Sequence, residues 1–323
     1  MELIDSLKAQ IEGKNVRIVL PEGTEPRIIE AASRLHKEGI LVPVLVGSVD
    51  AVKAVANEKN IDLDGVEILD PANYDEFDAM VAAFVERRKG KATEEDARKK
   101  LLDENYFGTM LTYMGKVDGM VSGAVHSTGD TVRPALQIIK TKPGVSRTSG
   151  AFVMIKEDTK YIFGDCAINI ELDAEGLAGV AVESAKTAKM FGIDPKVAML
   201  SFSTKGSAKH DLATKVEEAT KLAHELDPEL ALDGELQFDA AIVESVGQQK
   251  APGSKVAGNA NVFIFPSLEA GNIGYKIAQR LGGFEALGPI LQGLNKPITD
   301  LSRGCNAEDV YKLSIITACQ SVM

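Results

Sequence analysis

Short β-rich runs alternate with helical stretches along most of the chain. Val16-Arg17-Ile18-Val19-Leu20-Pro21 predicts a buried strand ending at a turn. A helix follows from about Pro26 to Lys37, with Ile28, Ile29, Ala32 and Leu35 on one face and Gly39 as its stop. Leu41 to Val46 predicts the next strand, Asp50 opens an amphipathic segment through Val52 and Val55, and Val66 to Leu69 predicts a third strand. A longer helical zone runs from about Asp75 to Lys100 with a break near Gly90, and Val117 to Gly123 reads as a strand entering a small-residue loop. Further on, Phe152 to Ile155 and Tyr161 to Phe163 predict paired strands turned at Glu157-Asp158. Ala174 to Phe191 reads as a helix, Val197 to Phe202 as a central strand, and Asp211 to Leu226 as a helix. Asp239 to Val243 fits either period. Val262 to Pro266 is a strand stopped by proline, and Gly271 to Leu281 is a helix. A last helix from about Ala307 to Val322 carries Val310, Leu313, Ile316 and Thr317 on one face. Strand–helix alternation on this scale predicts an α/β protein with a mostly parallel sheet covered on both faces.

Length and charge narrow the reading. A chain of 323 residues is long enough for two domains and for cores that need no disulfide or metal staple. The net charge of -11 argues against nucleic acid as a partner, and the 5% aromatic content without Trp argues against base-stacking platforms. Small anions remain open as ligands, provided a few placed cations and backbone N–H groups build the site locally. Cys166, Cys305 and Cys319 form no C-x-x-C pair, and an odd, sparse count suits a reducing compartment. The N-terminus lacks a basic-then-apolar signal, and no run approaches the ~18 apolar residues of a membrane span. The expectation is a cytoplasmic protein acting on something small, with no membrane partner.

Four segments could carry chemistry. Ser122 to Pro134 is a strand end, a hydroxyl-rich loop and a helix start, the arrangement that binds anions on unpaired N–H groups. Ser127, Thr128 and Thr131 would add hydroxyls and Arg133 a guanidinium fork. The same residues also fit an ordinary helix start, with Thr131 as N-cap and Pro134 in the first turn. Ser201 to Lys209 repeats the strand–loop–helix plan but does not match the phosphate-loop consensus. Asp300 to Asp309 holds a hydroxyl, a guanidinium, a thiol and a carboxylate just before the last helix. Asn306 there also reads as an N-cap with Asp309 at the capping-box position, and Arg303 could pair with Asp300 or Glu308. Glu86 to Lys91 is a basic run, either a solvated helix face or an anion-recruiting patch. The acidic groups Asp165, Glu171 and Asp173, and Asp233, Glu235 and Asp239, fit no compact metal loop, so no metal site is assigned. Of the four histidines, His126 alone lies in a candidate loop.

Taken together, Leu301-Ser302-Arg303-Gly304-Cys305 with Asp309, Ser201 to Lys209, Ala257 to Pro266 and Gly271-Asn272-Ile273-Gly274-Tyr275-Lys276 resemble the phosphate acetyltransferase (phosphotransacetylase) family over essentially the whole chain. The resemblance implies two α/β domains with mostly parallel sheets flanked by helices, like the isocitrate and isopropylmalate dehydrogenases, with an active-site cleft between them. It implies a discontinuous first domain, 1–145 plus 297–323, and a second, 146–296. It implies a homodimer and an acyltransferase interconverting acetyl-CoA plus phosphate with acetyl phosphate plus CoA. CoA is then a substrate, and no prosthetic group is needed. Carried onto this chain, Asp309 matches the catalytic base, Ser302 the hydroxyl that orients the CoA thiol, and Arg303 the cation that steadies the transition state. Arg133 and Arg88 match arginines near the phosphate or CoA end. Arg87 adjoins Arg88, so this last assignment can slip by one.

Other readings have their own signatures. A phosphate butyryltransferase would share this chemistry with a larger acyl pocket. A nicotinamide-dependent decarboxylating dehydrogenase would need a metal-binding carboxylate set and a Tyr/Lys pair that this sequence does not assemble. A CoA- or phosphate-sensing module would bind without turnover. Cys305 invites a ping-pong route through an acetylated thiol. CoA already supplies a thiol, however, so a Cys thioester divides no barrier, and a ternary complex is expected.

Overall fold

Ile18, Val19 and Leu20 are consecutive and all fully buried. Successive strand residues face opposite sides, so such a strand is covered on both faces. They belong to β1 (Arg17–Leu20) of the computed structural model, which describes residues 3–323. The chain divides into two compact units: the described residues up to 142 together with 294–323, and residues 143–293.

In the first unit β1 pairs in parallel with β2 (Val42–Val46) and β4 (Gly119–Ser122). β3 (Glu67–Leu69) flanks β2 and β11 (Ile298–Asp300) flanks β4, again in parallel, for the order β3-β2-β1-β4-β11. The helices are α1 (Leu3–Ile11), α2 (Pro26–Lys37), α3 (Val49–Glu58), α4 (Phe77–Arg88), α5 (Glu94–Lys100), α6 (Glu104–Tyr113), α7 (Thr128–Pro134) and α13 (Ala307–Ser321). α13 packs on β1, β4, β11 and α2, and α6 packs on β1 and β4. Gly108 lets α6 come that close, because a Cβ there would stand 2.9 Å from the Pro21 ring and 3.0 Å from Met120 Sδ. Strand order reverses at β1, with β2 and β3 on one side and β4 and β11 on the other. In open parallel sheets the carboxyl-end loops diverge at such a point and leave a crevice for ligands.

The second unit has the strand order β10-β5-β6-β9-β7-β8. β5 (Ser149–Lys156) and β6 (Thr159–Gly164) form an antiparallel hairpin turned at Glu157, whose φ is 53°. β10 (Glu285–Gln292) adds antiparallel to β5, while β9 (Val262–Ile264), β7 (Val197–Leu200) and β8 (Leu232–Leu236) continue in parallel from β6. Its helices are α8 (Ala174–Met190), α9 (Asp211–Leu226), α10 (Phe238–Ile242), α11 (Glu244–Lys250) and α12 (Leu268–Arg280). Its core gathers Phe152, Met154, Phe163, Leu236 and Phe263.

The break expected near Gly90 separates α4 from α5, because Lys89 adopts a left-handed conformation at the end of α4. Other expectations need correction. Thr131 is not an N-cap. Ser127 caps α7 through a reciprocal box with Asp130, and Pro134 ends the helix rather than opening it. Proline has no N–H to continue the ladder, and the chain widens into a π-helical turn at Ala135–Ile139. Asp239 to Val243 resolves as helix α10 followed by Val243 as the N-cap of α11. The pattern assigns no element to α1, α6, β8, β10, β11 or α11. β10 contains Gly288-Pro289, β8 carries Asp233 and Glu235, and β11 spans three residues, so none shows a clean apolar period.

Candidate active site

Three loops leave the carboxyl ends of the adjacent parallel strands β1, β4 and β11, and they carry most of the candidate residues. The β1 loop begins Pro21-Glu22-Gly23. Gly23 presses on β2, where a Cβ would stand 2.3 Å from the Val46 carbonyl oxygen, so only glycine lets the chain pass. Glu22, 2% exposed, points at the loop after β4. Its Oε2 accepts from the amides of Gly123 (3.1 Å) and Ala124 (2.8 Å), and its Oε1 from those of Val125 (2.9 Å) and His126 (3.0 Å). His126 Nδ1 lies 2.8 Å from Oε1; a carboxylate only accepts, so that nitrogen carries the proton. The amides of 123–126, in the loop ahead of the helix start read as a possible anion site, are thus already engaged by a buried carboxylate.

The residues after them remain accessible. Ser127 and Thr128 are exposed, although the Ser127 hydroxyl is bound to Asp130 at 2.6 Å. Arg133 is exposed, with its Nη1 3.8 Å from Asp130. Thr131 is fully buried and faces Asp300 instead of solvent. Asp300 closes β11 at 2% exposure. Its Oδ1 and the Thr131 hydroxyl are both buried without a hydrogen bond. Burial pushes the Asp300 carboxyl up to about 6; the nearby Thr128 and Thr131 hydroxyls oppose this and Glu22 adds to it. Glu104, at the start of α6, is likewise pushed up to about 7 by burial, with His126 opposing and Glu22 and Asp103 reinforcing.

The β11 loop carries Ser302 and Arg303, both exposed. The Ser302 hydroxyl accepts from the Gly304 amide at 3.2 Å. Asn306 caps α13 in a reciprocal box: its Oδ1 accepts from the Asp309 amide (2.9 Å), and Asp309 Oδ2 accepts from the Asn306 amide (3.0 Å). That box holds one Asp309 oxygen. Arg303 pairs with neither Asp300 nor Glu308, since Glu308 is held by Arg34, and among the described residues its guanidinium has no ion pair. Cys305 is 7% exposed, and burial pushes its thiol up to about 11 even though Arg27 opposes it.

Arg27, in the first turn of α2, ties two of the loops together. Its Nη1 donates to the carbonyls of Arg303 (2.9 Å) and Cys305 (2.8 Å), its Nη2 to that of Ala124 (2.9 Å), and its Nε to Glu25 (2.7 Å). Glu22, Arg27, Asp300 and Glu104 were not among the expected site residues. Their signal is positional: each sits at a strand end or in the first turn of a following helix, and it is legible only once β1, β4 and β11 are known to be neighbours.

The basic run lies apart from these loops in sequence. Arg87 donates to the Ile138 and Ile139 carbonyls (2.6 and 3.1 Å) and stands over the Tyr113 ring, whereas Arg88 makes one longer contact, 3.4 Å to the Gln137 carbonyl. Of the two, Arg88 is the freer cation. Lys140 has its pKa lowered, chiefly by Arg87, with Lys89, Lys91 and Arg88 adding, so a basic cluster gathers here.

In the second unit the loop 201–209 is closed on itself. Glu235 accepts from the Ser203 hydroxyl and the Gly206 amide, both at 2.8 Å, and Lys205 pairs with Asp233. The acidic residues weighed as metal ligands have other work. Asp165 accepts from the amides of Gly150, Ala167, Ile168 and Asn169, Asp173 caps α8, and Asp239 pairs with Lys250. Among the described residues no group of three or more His, Cys, Asp or Glu could hold a metal, and no helix is long and apolar enough to cross a membrane.

A family model described as "Phosphate acetyl/butaryl transferase" matches residues 2–318. A phosphate acetyltransferase of Staphylococcus epidermidis is 64% identical over 99% of both chains. The EutD phosphotransacetylase of Staphylococcus aureus superposes with a TM-score of 0.94 at 62% identity, covering 99% of this chain and 98% of that one. A phosphotransacetylase from Streptococcus pyogenes gives 0.97 at 60% identity, with the same coverage.

Proposed function

This chain belongs to the phosphate acetyl/butaryl transferase family, and from that premise we propose how it interconverts acetyl-CoA plus phosphate with acetyl phosphate plus CoA: through a ternary complex in which Asp309 takes the proton of the CoA thiol. The acetyl group is favoured over longer acyl chains by the near-full-length similarity to phosphate acetyltransferases. Sulfur attacks the acetyl carbon, the bond from that carbon to the phosphate oxygen breaks, and the thiol proton passes to Asp309. A thiol near ~8.5 and a carboxyl near ~3.9 differ by roughly 6 kcal/mol in proton affinity, so the proton leaves as the S–C bond forms rather than before it.

The observation that carries this reading is an exposed Arg303, without an ion pair among the described residues, on the loop that leads into α13, whose first turn holds an Asp309 that uses one oxygen in its cap. In a chain of net charge -11, an arginine without a counterion among the described residues is available to the charge that develops on the acetyl oxygen and sulfur. Ser302, exposed beside it, orients the thiol. Arg133, with the Ser127 and Thr128 hydroxyls, receives the phosphoryl oxygens, and Arg88 the phosphate-bearing end of CoA. Thr131 is buried against Asp300 and supports the loop from behind. CoA serves as substrate and the chemistry needs no prosthetic group. A buried Cys305 whose thiol is pushed up to about 11 supports the ternary route over an acetylated enzyme. A cytoplasmic homodimer completes the proposal. Ile273, Ile277 and Leu281 recur one turn apart on and just beyond α12 and are exposed, an apolar stripe suited to a second copy.

The test is phosphate-dependent release of CoA from acetyl-CoA, read as free thiol. Asp309→Asn keeps the shape of the cap and should lower kcat by about 10²–10⁴ with little change in KM. Near-normal turnover would leave Asp309 with its capping role alone.

A further inference from the structure

We propose that Arg27 is a positioning residue for the transfer reaction: it sets the distance between the loop bearing Ser302 and Arg303 and the loop that leads to Arg133. The proposal rests on the roles given above to Arg303 and Arg133. Arg27 donates to the carbonyls of Arg303 and Cys305 on one loop and of Ala124 on the other. These partners lie 276, 278 and 97 residues away along the chain, so no local preference brings them together. Their acceptors are backbone oxygens, which means the guanidinium fixes main-chain position whatever the side chains do.

The geometry of the fork matters. A planar guanidinium directs its donors along fixed lines, and here two of its nitrogens serve three carbonyls while the third holds Glu25. Glu25 is itself the N-cap of α2, so the fork is anchored to a helix end. Glu22, five residues earlier, grips the amides of 123–126 from the same turn. The β1–α2 turn therefore holds the 123–126 loop by its amides through Glu22 and by the Ala124 carbonyl through Arg27. The β11 loop, by contrast, is joined to that turn through Arg27. Arg27 is the group whose loss would let Arg303 drift relative to the phosphoryl-binding loop.

A double-mutant cycle tests this, with the full-length chain assayed for CoA release and its thermal midpoint recorded for every variant. Arg27→Gln should lower kcat by about 10²-fold, the scale of a 1 Å misplacement, while KM for phosphate and acetyl-CoA changes much less. Arg303→Ala should lower kcat by about 10²–10³-fold. Because Arg27 acts through Arg303, adding Arg27→Gln to Arg303→Ala should cost no more than about a further twofold. Multiplicative losses would overturn the proposal, since a general loss of folded enzyme acts equally in both backgrounds. Arg27→Gln turnover within about twofold of the parent would overturn it as well. Full turnover in Arg303→Ala alone would overturn the role of Arg303 and the proposal with it, a result distinguishable from the other two. If Arg27→Gln yields no folded chain, Arg27→Lys runs the same cycle, because an ammonium keeps the charge but cannot serve both loops in one plane.

Discussion

Two hydroxyl-rich loops of this chain follow a central parallel strand and are held from beneath by a buried glutamate. Glu22 takes four amides of residues 123–126 after β4, and Glu235 takes the Ser203 hydroxyl and the Gly206 amide after β7. Both loops resemble phosphate cradles in sequence, yet each gives backbone amides to a protein carboxylate, four after β4 and one after β7. They differ in their cations. Lys205 is neutralised by Asp233, with the Gly234 carbonyl as a further acceptor at 2.9 Å. Arg133 and Arg303 remain exposed, with no counterion closer than 3.8 Å to Arg133 among the described residues. The strand–loop–helix pattern is thus a way of building a rigid loop, and the loops differ in whether a cation beside them is closely paired.

The largest effects should come from removing each glutamate's charge. Glu22→Gln and Glu235→Gln should each cost on the order of 3 kcal/mol in denaturant unfolding, because an amide both loses the charge-assisted bonds and turns N–H groups toward N–H groups. Only Glu22→Gln should also lower kcat in the fraction that stays folded. Equal effects on turnover would erase the distinction between the loops.

Next in size is the pair of cations. Arg133→Ala should weaken phosphate or acetyl phosphate binding by about 1.5–3 kcal/mol, seen as a raised KM. Lys205→Ala should leave both constants within about twofold. A raised CoA KM with unchanged phosphate KM in Arg133→Ala would reassign that arginine to CoA.

Asp300 offers a third contrast, as a buried carboxylate whose Oδ1 lacks the donors that Glu22 and Glu235 enjoy. Its folded-state pKa, about 6, lies above that of an unfolded Asp. The folded chain therefore holds the proton longer, and stability contributed at acid pH is lost as pH rises from about 4 through about 6. Asp300→Asn should remove that loss and raise stability at pH 8 by on the order of 2 kcal/mol, flattening the midpoint-versus-pH curve across this window. An unchanged profile would mean that the Thr128 and Thr131 hydroxyls already satisfy the ion.

The smallest effect should come from Cys305→Ala. With its thiol buried and pushed up to about 11, its loss should retain at least roughly a tenth of kcat, a change under about 1.4 kcal/mol. An inactive variant, together with a labelled acetyl group trapped on Cys305, would restore the ping-pong route.

Local periodicity was enough to predict α2, α8, α9 and the last helix nearly to the residue, along with the β5–β6 hairpin and its turn. Each is a run rich in apolar residues bounded by its own cap or turn, so short-range signals suffice. The Asn306–Asp309 cap of α13 was legible for the same reason. The motif resemblance pointed to Ser302, Arg303 and Asp309 as candidates, which lie within eight residues of one another. The ordering β1-β4-β11 comes from tertiary packing, and with it the work of Glu22, Arg27 and Asp300. These residues meet partners about 100 to 280 positions away, and the energy that places them is burial of whole strands and helices rather than any preference of the residues themselves. It also decided that the amides of 123–126 belong to Glu22. A backbone donor looks identical in sequence whether it awaits a ligand or already serves a buried carboxylate, because a buried N–H takes whichever acceptor the packed sheet brings to it.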